Sequence, residues 1–430
     1  MKKVSRRQFL STAVGTTAAL SGLLHSTNTL AQAQKPLKIG LIGCGWYGMV
    51  DTKAALKIGG VEIVAVCDVD EQHLQDSAQQ IEKLQGKRPA VFKDYQKLLA
   101  LEELQAVIIA TPPQWHALPF LAALDRGLDI YAEKPLAYDM REGQTMVAAA
   151  RKSKQIVQFG FQRRKSQAIR DAREYVQQGQ LGRILQAEVQ INYTAEIRDT
   201  TVQDPPASLD WDLWCGPAPK LPYCPNIGHF AWRLEKAYGN GHLVDWGIHL
   251  IDATRWILNE TMPHAVQASG GIFVLKDKIT TPDILQVLFE FDACPVTWRH
   301  RMWGAREIHP DLANGIALYG EKGTLFVTDQ RWEIIPKGRG AQPEVKRVRG
   351  DLAAAHMDEF LRAVQTRQQP SCTPQEAFYS TSTVQLAMIA YELGEKLRWD
   401  AKTQSIIGNP QAQTMMKREY RAPWRHPYQG

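Results

Sequence analysis

From Pro36 to Gly160 the apolar positions fall in short unbroken runs separated by longer stretches with three-to-four spacing. PLKIGLIG, VEIVAVCD, AVIIATPP, LDIYAEKP and IVQFG are apolar nearly throughout, the pattern of strands covered on both faces. The stretch to about Lys57, EQHLQDSAQQIEKLQG, HALPFLAALDRG and REGQTMVAAARKS have the periodicity of one-faced helices. Alternating strands and helices with short connections predict a doubly wound parallel sheet over residues 36–160.

Past Gly160 the rhythm changes. A helix through AIRDAREYVQQG and a strand ILQAEVQIN precede a Pro- and Trp-rich passage, SLDWDLWCGPAPKLPY, and a helical DWGIHLIDATRWIL. AVQASGGIFV, ILQVLFEF, PVTWRHRMW, GIALYG and GTLFVTD then follow in near succession, so a mostly antiparallel open sheet packed on helices is predicted for residues 161–400. Two further helices, near AAHMDEFLRAVQ and PQEAFYSTSTVQLAMIAYELGEKL, lead to a basic aromatic tail at 401–430 whose role the sequence leaves open. The fold class is α/β, with a second α+β domain.

The chemistry-bearing residues sit where the predicted strands end. The first strand runs into Gly43-Cys44-Gly45-Trp46-Tyr47-Gly48, a G-x-G-x-x-G whose glycines let backbone approach a pyrophosphate at a helix N-terminus. Asp68, twenty residues past Gly48 at the end of the second strand, is placed to bind ribose hydroxyls and to repel a 2′-phosphate, which favours NAD over NADP. Thr111-Pro112 ends the third strand and Glu133-Lys134-Pro135 the fourth, so both border the ligand crevice of an open parallel sheet. An ammonium at Lys134 can hydrogen-bond a substrate hydroxyl and stabilise a developing alkoxide. In the second domain Asp245 and His249 are four apart on a predicted helix, where the carboxylate would orient the imidazole as a general base. His242 extends that face, so a His-Asp-His metal site and a purely structural pair stand beside the catalytic reading.

Charge and targeting narrow the function classes. The formal net charge of +6 comes largely from Lys2, Lys3, Arg6 and Arg7; without residues 1–33 the chain has 47 Lys and Arg against 45 Asp and Glu. That balance supports no nucleic-acid or polybasic membrane binding. Ser5-Arg6-Arg7-Gln8-Phe9-Leu10, an apolar AVGTTAALSGLL and Ala31-Gln32-Ala33 resemble a twin-arginine export signal over residues 1–33. The expectation is a protein carried folded into the periplasm by the twin-arginine machinery. No C-x-x-C pair occurs among six cysteines; Cys215 and Cys224 are read either as a disulfide or as free buried thiols.

Together LIGCGWYG, AVCDVD, IATPPQWH, the EKP tripeptide and DWGIH resemble the glucose-fructose oxidoreductase, inositol dehydrogenase and rhizopine-catabolism family, Gfo/Idh/MocA. The resemblance implies a Rossmann domain, a C-terminal domain whose open sheet often serves oligomerisation into dimers or tetramers, and hydride transfer between a sugar or cyclitol carbon and nicotinamide. It places the catalytic roles on Lys134, Asp245 and His249, and cofactor contacts on Trp46, Tyr47, Thr111, Pro112, His116, Glu133 and Gln162. Arg163, Arg164, Trp214, Trp232 and Arg233 are the residues it suggests for a sugar pocket, with no metal among the ligands. Asn240 stands where many relatives have glycine, a substitution that left-handed backbone tolerates. For an exported enzyme these features imply tightly bound NAD regenerated in place, as in sugar-to-sugar hydride transfer or in glycoside cleavage through transient oxidation. A non-catalytic nucleotide- or sugar-binding protein is the alternative from another class.

Overall fold

The computed structural model describes residues 35–304 and 313–429, so the expected signal at 1–33 lies outside the described residues. Pro36–Gly430 forms one compact unit, and the expected boundary near residue 160 is a change of topology within it. The first sheet comprises β1 (Leu37–Ile42), β2 (Val61–Cys67), β3 (Ala90–Phe92), β4 (Ala106–Ile109), β5 (Asp129–Ala132) and β6 (Val157–Phe159). All are parallel, in the order β3-β2-β1-β4-β5-β6. Strand order reverses between β1 and β4, and their carboxyl ends flank the crevice where such sheets bind ligands. The pattern of apolar runs missed β3, which has three residues and lies at the sheet edge.

The second sheet is built from β7 (Ile184–Asn192), β8 (Ala265–Gly271), β9 (Ile284–Glu290), β10 (Pro295–Arg301), β11 (Asn314–Gly320), β12 (Gly323–Val327), β13 (Arg331–Pro336), β14 (Glu344–Arg347), β15 (Leu397–Asp400) and β16 (Ser405–Ile407). Its order is β14-β13-β12-β11-β7-β10-β9-β8-β15-β16, and β7 with β10 is its parallel pair. One face is apolar: Leu285, Val287 and Phe289 of β9 are buried while Gln286 between them is exposed. That face packs on the helices Ile248–Leu258 and Pro374–Leu393. The expected tail at 401–430 begins inside the β15–β16 hairpin, so its first residues belong to the sheet.

One helix crosses the expected division. Leu352–Thr366 follows β14 of the second sheet in sequence, yet its Met357, Phe360 and Leu361 complete a core with Ile39 and Leu41 of β1 and Met49 of the first helix. The parallel sheet is therefore covered on one face by a segment about two hundred residues downstream. Phe360 is fully buried with its ring 5.7 Å from that of Tyr131 on β5. Phe360→Ala is expected to lower unfolding stability by about 3 kcal/mol. Denaturant titration measures it, and a loss under about 1 kcal/mol would show the helix to be dispensable to this core.

Candidate active site

The first helix, Trp46–Ile58, starts at Gly45 with no capping side chain and no acid in its first turn. Its leading N–H groups are thus open to an anion. Each glycine has a separate reason. Gly43 has φ of +96°, and a Cβ there would lie 2.7 Å from Ala110 backbone; a Cβ on Gly48 would lie 2.0 Å from the Gly43 oxygen. A Cβ on Gly45 would meet nothing within 4 Å, because that position opens on a cleft of about 1050 Å³. Donors, dipole and open space fit a dinucleotide pyrophosphate. Asp68 lines the same cleft and also shapes the loop, accepting from the Cys44 N–H at 2.7 Å and the Asp70 N–H at 2.9 Å.

At the other end of the cleft, Asp245 of the wall meets Lys134 across 111 residues of sequence. Lys134 Nζ donates to Asp245 Oδ1 and to the Asp245 carbonyl oxygen, each at 2.8 Å. The Lys134–Pro135 bond is cis. Arg233 Nε lies 3.2 Å from the other carboxylate oxygen, so one acid serves two cations. Burial alone would raise the Asp245 carboxyl, but the Lys134 and Arg233 charges outweigh it and hold it at about 2. The carboxylate is permanently ionised at neutral pH.

The expected Asp245–His249 pair is corrected by this geometry. Leu243–Gly247 is a π-helical turn that precedes the α-helix Ile248–Leu258. The wider turn takes residues four apart out of alignment, and the carboxylate turns to Lys134 and Arg233 instead. His249 Nδ1 is buried with no hydrogen-bond partner. Burial, then the positive charges of Lys134 and Arg163, push its imidazole well below the usual histidine range. It is held neutral, as a proton acceptor must be. His242 leaves the same turn in another direction, its ring 4.8 Å from Tyr193 and 4.9 Å from His300, so it does not join Asp245 and His249 as a ligand set.

The remaining expected residues divide into cleft wall and support. Trp46, Tyr47, Thr111, Pro112, Trp214, Trp232 and Arg233 line the cleft. His116 does not: it is buried with Nδ1 2.7 Å from the Pro135 oxygen and Nε2 2.8 Å from the Thr111 oxygen, joining the two loops that end β4 and β5. Glu133 and Gln162 are also buried behind the wall, where Gln162 Nε2 donates to Glu133 Oε1 at 2.7 Å and to the Tyr131 hydroxyl at 3.2 Å. Burial raises the Glu133 carboxyl to about 7, against the pull of Lys134. Arg163 packs its guanidinium over Trp246, a cleft residue, with the ring centroid at 5.5 Å. Arg164 is removed from any pocket by a buried pair with Asp252 at 2.6 Å. Asn240 adopts φ of +59°, the left-handed backbone that made Asn an acceptable replacement for glycine. All six cysteines are free and buried, Cys215 beside the Tyr238 hydroxyl at 3.2 Å.

Several wall residues were not anticipated. Tyr193, Phe230 and Trp246 line the cleft near Arg233, and His73, His229 and Trp424 line it elsewhere. His73 was findable, since Asp70 caps the helix Glu71–Gln85 and sets His73 in its first turn beside Asp68. His229 Nε2 lies 2.9 Å from Asp70 Oδ2. That carboxylate thereby takes both its cap and a histidine from the second domain.

Three family models match this chain in succession. One described as the oxidoreductase family, NAD-binding Rossmann fold, matches residues 37–161. The GFO/IDH/MocA C-terminal domain matches 169–326, and the oxidoreductase family C-terminal alpha/beta domain matches 313–426. The chain belongs to the Gfo/Idh/MocA family. Among curated relatives of this family, inositol 2-dehydrogenase 4 of Saccharopolyspora erythraea is 32% identical over 155 residues, 36% of this chain and 44% of the relative. An alpha-N-acetylgalactosaminidase of Shewanella oneidensis is 27% identical over 175 residues, 36% of this chain and 38% of the relative. The matches thus span less than half the length of these curated relatives. In fold, an aldose-aldose oxidoreductase of Caulobacter crescentus, solved with glycerol, superposes with a TM-score of 0.67 at 16% identity, covering 84% of this chain and 99% of its own.

Burial holds the imidazoles of His116, His229, His242, His249, His300 and His356 below the ordinary histidine value. Below about pH 6.5 the unfolded chain binds these protons and the folded chain does not, so stability present at neutral pH is lost on acidification, up to about 1.4 kcal/mol per pH unit per group. The raised carboxyls of Asp51, Glu133 and Glu142 oppose this, since the folded chain holds their protons to higher pH than the unfolded chain does, but they are three against six. The thermal midpoint is expected to fall between about pH 6.5 and 5. Calorimetry showing it level or rising there would contradict the buried neutral histidines.

Proposed function

We propose that the protein is an NAD-dependent oxidoreductase that moves hydride between a carbohydrate CH–OH carbon and cofactor held in the cleft. The observation that carries this reading is Lys134 held on Asp245, a residue that lines the same cleft as the glycine loop and Asp68. NAD, when bound, supplies the hydride acceptor. Asp68, a carboxylate at the end of β2 where the ribose would lie, favours it over the 2′-phosphorylated form.

The residues of the chain supply the proton chemistry. An ammonium has three N–H donors, and Lys134 spends two on Asp245, leaving one for a substrate hydroxyl oxygen. As the hydroxyl proton leaves, negative charge grows on that oxygen, and a donor already in place stabilises it without reorganisation until departure of the hydride leaves a neutral carbonyl. His249, neutral and half-buried with its Nδ1 turned inside, takes the hydroxyl proton through Nε2. Asp245 acts on Lys134 and Arg233 rather than on the imidazole. Tyr193, Trp232 and Trp246 offer aromatic faces to the apolar side of a sugar ring.

The reading includes location and cofactor economy. The leading segment resembles a twin-arginine signal, and we propose a periplasmic protein that acquires NAD before export. Free nicotinamide cofactor is not maintained there, so NAD would stay bound and be regenerated within the site. Transfer of hydride from one sugar to another satisfies this. So does glycoside cleavage by oxidation, elimination, water addition and hydride return, a second reading favoured by the glycosidase names of relatives such as the Shewanella enzyme. The homo-oligomer expected from the sequence would form through the outer face of the ten-stranded sheet, and sedimentation velocity tests that.

Denaturing the purified protein is expected to release about one NAD or NADH per chain; protein that emerges empty and requires millimolar added NAD would overturn the retained-cofactor reading. Lys134→Ala is expected to reduce kcat by roughly a hundredfold or more with nucleotide content unchanged. Release of phenol from aryl glycosides with no added oxidant selects the glycosidase; reduction of one aldose coupled to oxidation of another selects the oxidoreductase.

A further inference from the structure

The geometry points to the C-terminal tail as part of the cofactor site: we propose that Trp424 walls the adenine subsite and that Arg418–Tyr428 straps it closed. This assignment rests on the NAD reading above. Sheet order orients the cofactor. Nicotinamide must lie toward Lys134, past the ends of β4 and β5, so the adenosine half extends from the glycine loop past Asp68 toward the β2 and β3 ends. Tyr95, just beyond β3, has its ring 6.0 Å from that of Trp115, and Trp115 has its ring 5.7 Å from that of Trp424, both pairs edge to face. All three line the cleft. A run of aromatic surfaces at this end fits a planar base, which stacks on such rings without needing sequence-like recognition.

The tail is fastened on both sides of Trp424. Arg418 pairs with the fully buried Glu142 at 3.1 Å and donates to the Gln114 carbonyl at 2.9 Å. Tyr420 donates its hydroxyl to the same carboxylate at 2.7 Å. Arg421 Nη1 reaches Asp212 Oδ1 at 2.8 Å and stacks on the Trp424 ring at 4.8 Å. Beyond the indole, His426 Nε2 lies 3.0 Å from Asp139 Oδ2. Elsewhere on the cleft wall, His229 reaches Asp70 near Asp68, so a second strap from another part of the chain crosses to the adenosine half. None of these anchors is a cleft residue that the chemistry requires.

The test measures nucleotide binding directly. The wild-type protein is expected to retain NAD through desalting, and Trp424→Ala to lose it, with dissociation followed by indole fluorescence roughly tenfold faster or more. Trp424→Phe should restore most of the retention. Arg421→Ala, which leaves the indole in place but loosens it, should fall between. ADP-ribose should bind Trp424→Ala more weakly than wild type while nicotinamide mononucleotide binds both equally. Hydrogen exchange at 418–428 in the wild type should slow when NAD is added to stripped protein. Unchanged dissociation in both variants, or equal loss for the two half-molecules, would overturn the assignment. If wild-type protein emerges empty, retention has failed but the subsite has not: a raised Kd for added NADH in Trp424→Ala then supports it, and an unchanged Kd overturns it.

Discussion

The Asp245 carboxylate is the constraint on which the site depends. It joins Lys134, at the end of a strand of the parallel sheet, to Arg233 in the second domain, with side chains that are 14% and 32% exposed against its own 9%. Such a buried pair adds little net stability, because desolvation offsets the attraction, but removing one partner strands a charge at a cost of about 3–5 kcal/mol. Its value is therefore positional. A lysine left alone at the end of β5 has four rotatable bonds and a hydrated head; tied twice to Asp245, it has one donor left and one direction to point it. The π turn makes this reach feasible, since it swings Asp245 away from its own helix face and onto the facing loop.

Behind that pair lies a buried polar layer that holds the catalytic loop. Glu133, next to the lysine, is braced by Gln162; Gln162 also donates to the Tyr131 hydroxyl, which lies 3.0 Å from His356 Nδ1. His356 belongs to the helix Leu352–Thr366 that completes the first core. A segment remote in sequence thus supports the loop through hydrogen bonds while its apolar face packs against β1. Burial keeps His356 neutral and raises Glu133, so this layer holds polar atoms in the interior with few net charges.

The division between what was legible in the sequence and what was not follows the range of the interactions. Strands β1, β2, β4 and β5, the glycine loop and Asp68 are specified locally, by apolar runs and turn chemistry, and were read in place. β3 and β14 were not, being short or exposed, and β13 was missed although Arg331-Trp332-Glu333-Ile334 alternates. Type and position single out Lys134, Asp245 and His249 in the sequence, but the pairing of Asp245 with His249 follows from ideal helix spacing that a π turn breaks. The family resemblance implies cofactor contacts from His116, Glu133 and Gln162, and the fold sets all three in buried hydrogen bonds behind the cleft wall. The wall residues His229 and Trp424 come from irregular segments with no periodicity, so only the assembled fold brings them to the cleft.

The tail shows how one local motif can join two jobs. Asp139 and Glu142 form a capping box at the start of the helix Met140–Lys152, directly after the Lys134-Pro135 loop. Asp139 accepts from the Glu142 N–H at 2.8 Å, and Glu142 accepts from the Tyr138 N–H at 2.9 Å, which would satisfy an isolated helix start. Both carboxylates still have lone pairs directed outward, and the tail uses them: Arg418 and Tyr420 on Glu142, His426 on Asp139. Two acids buried at a helix N-terminus would be expensive without cations, whereas one guanidinium supplies both the charge and a directional donor. The segment that ends the catalytic loop is thus neutralised by the chain terminus. An ordered tail and an ordered Lys134 loop draw on one set of hydrogen bonds, so the strap over the cofactor cleft and the amine that serves the substrate have a common foundation.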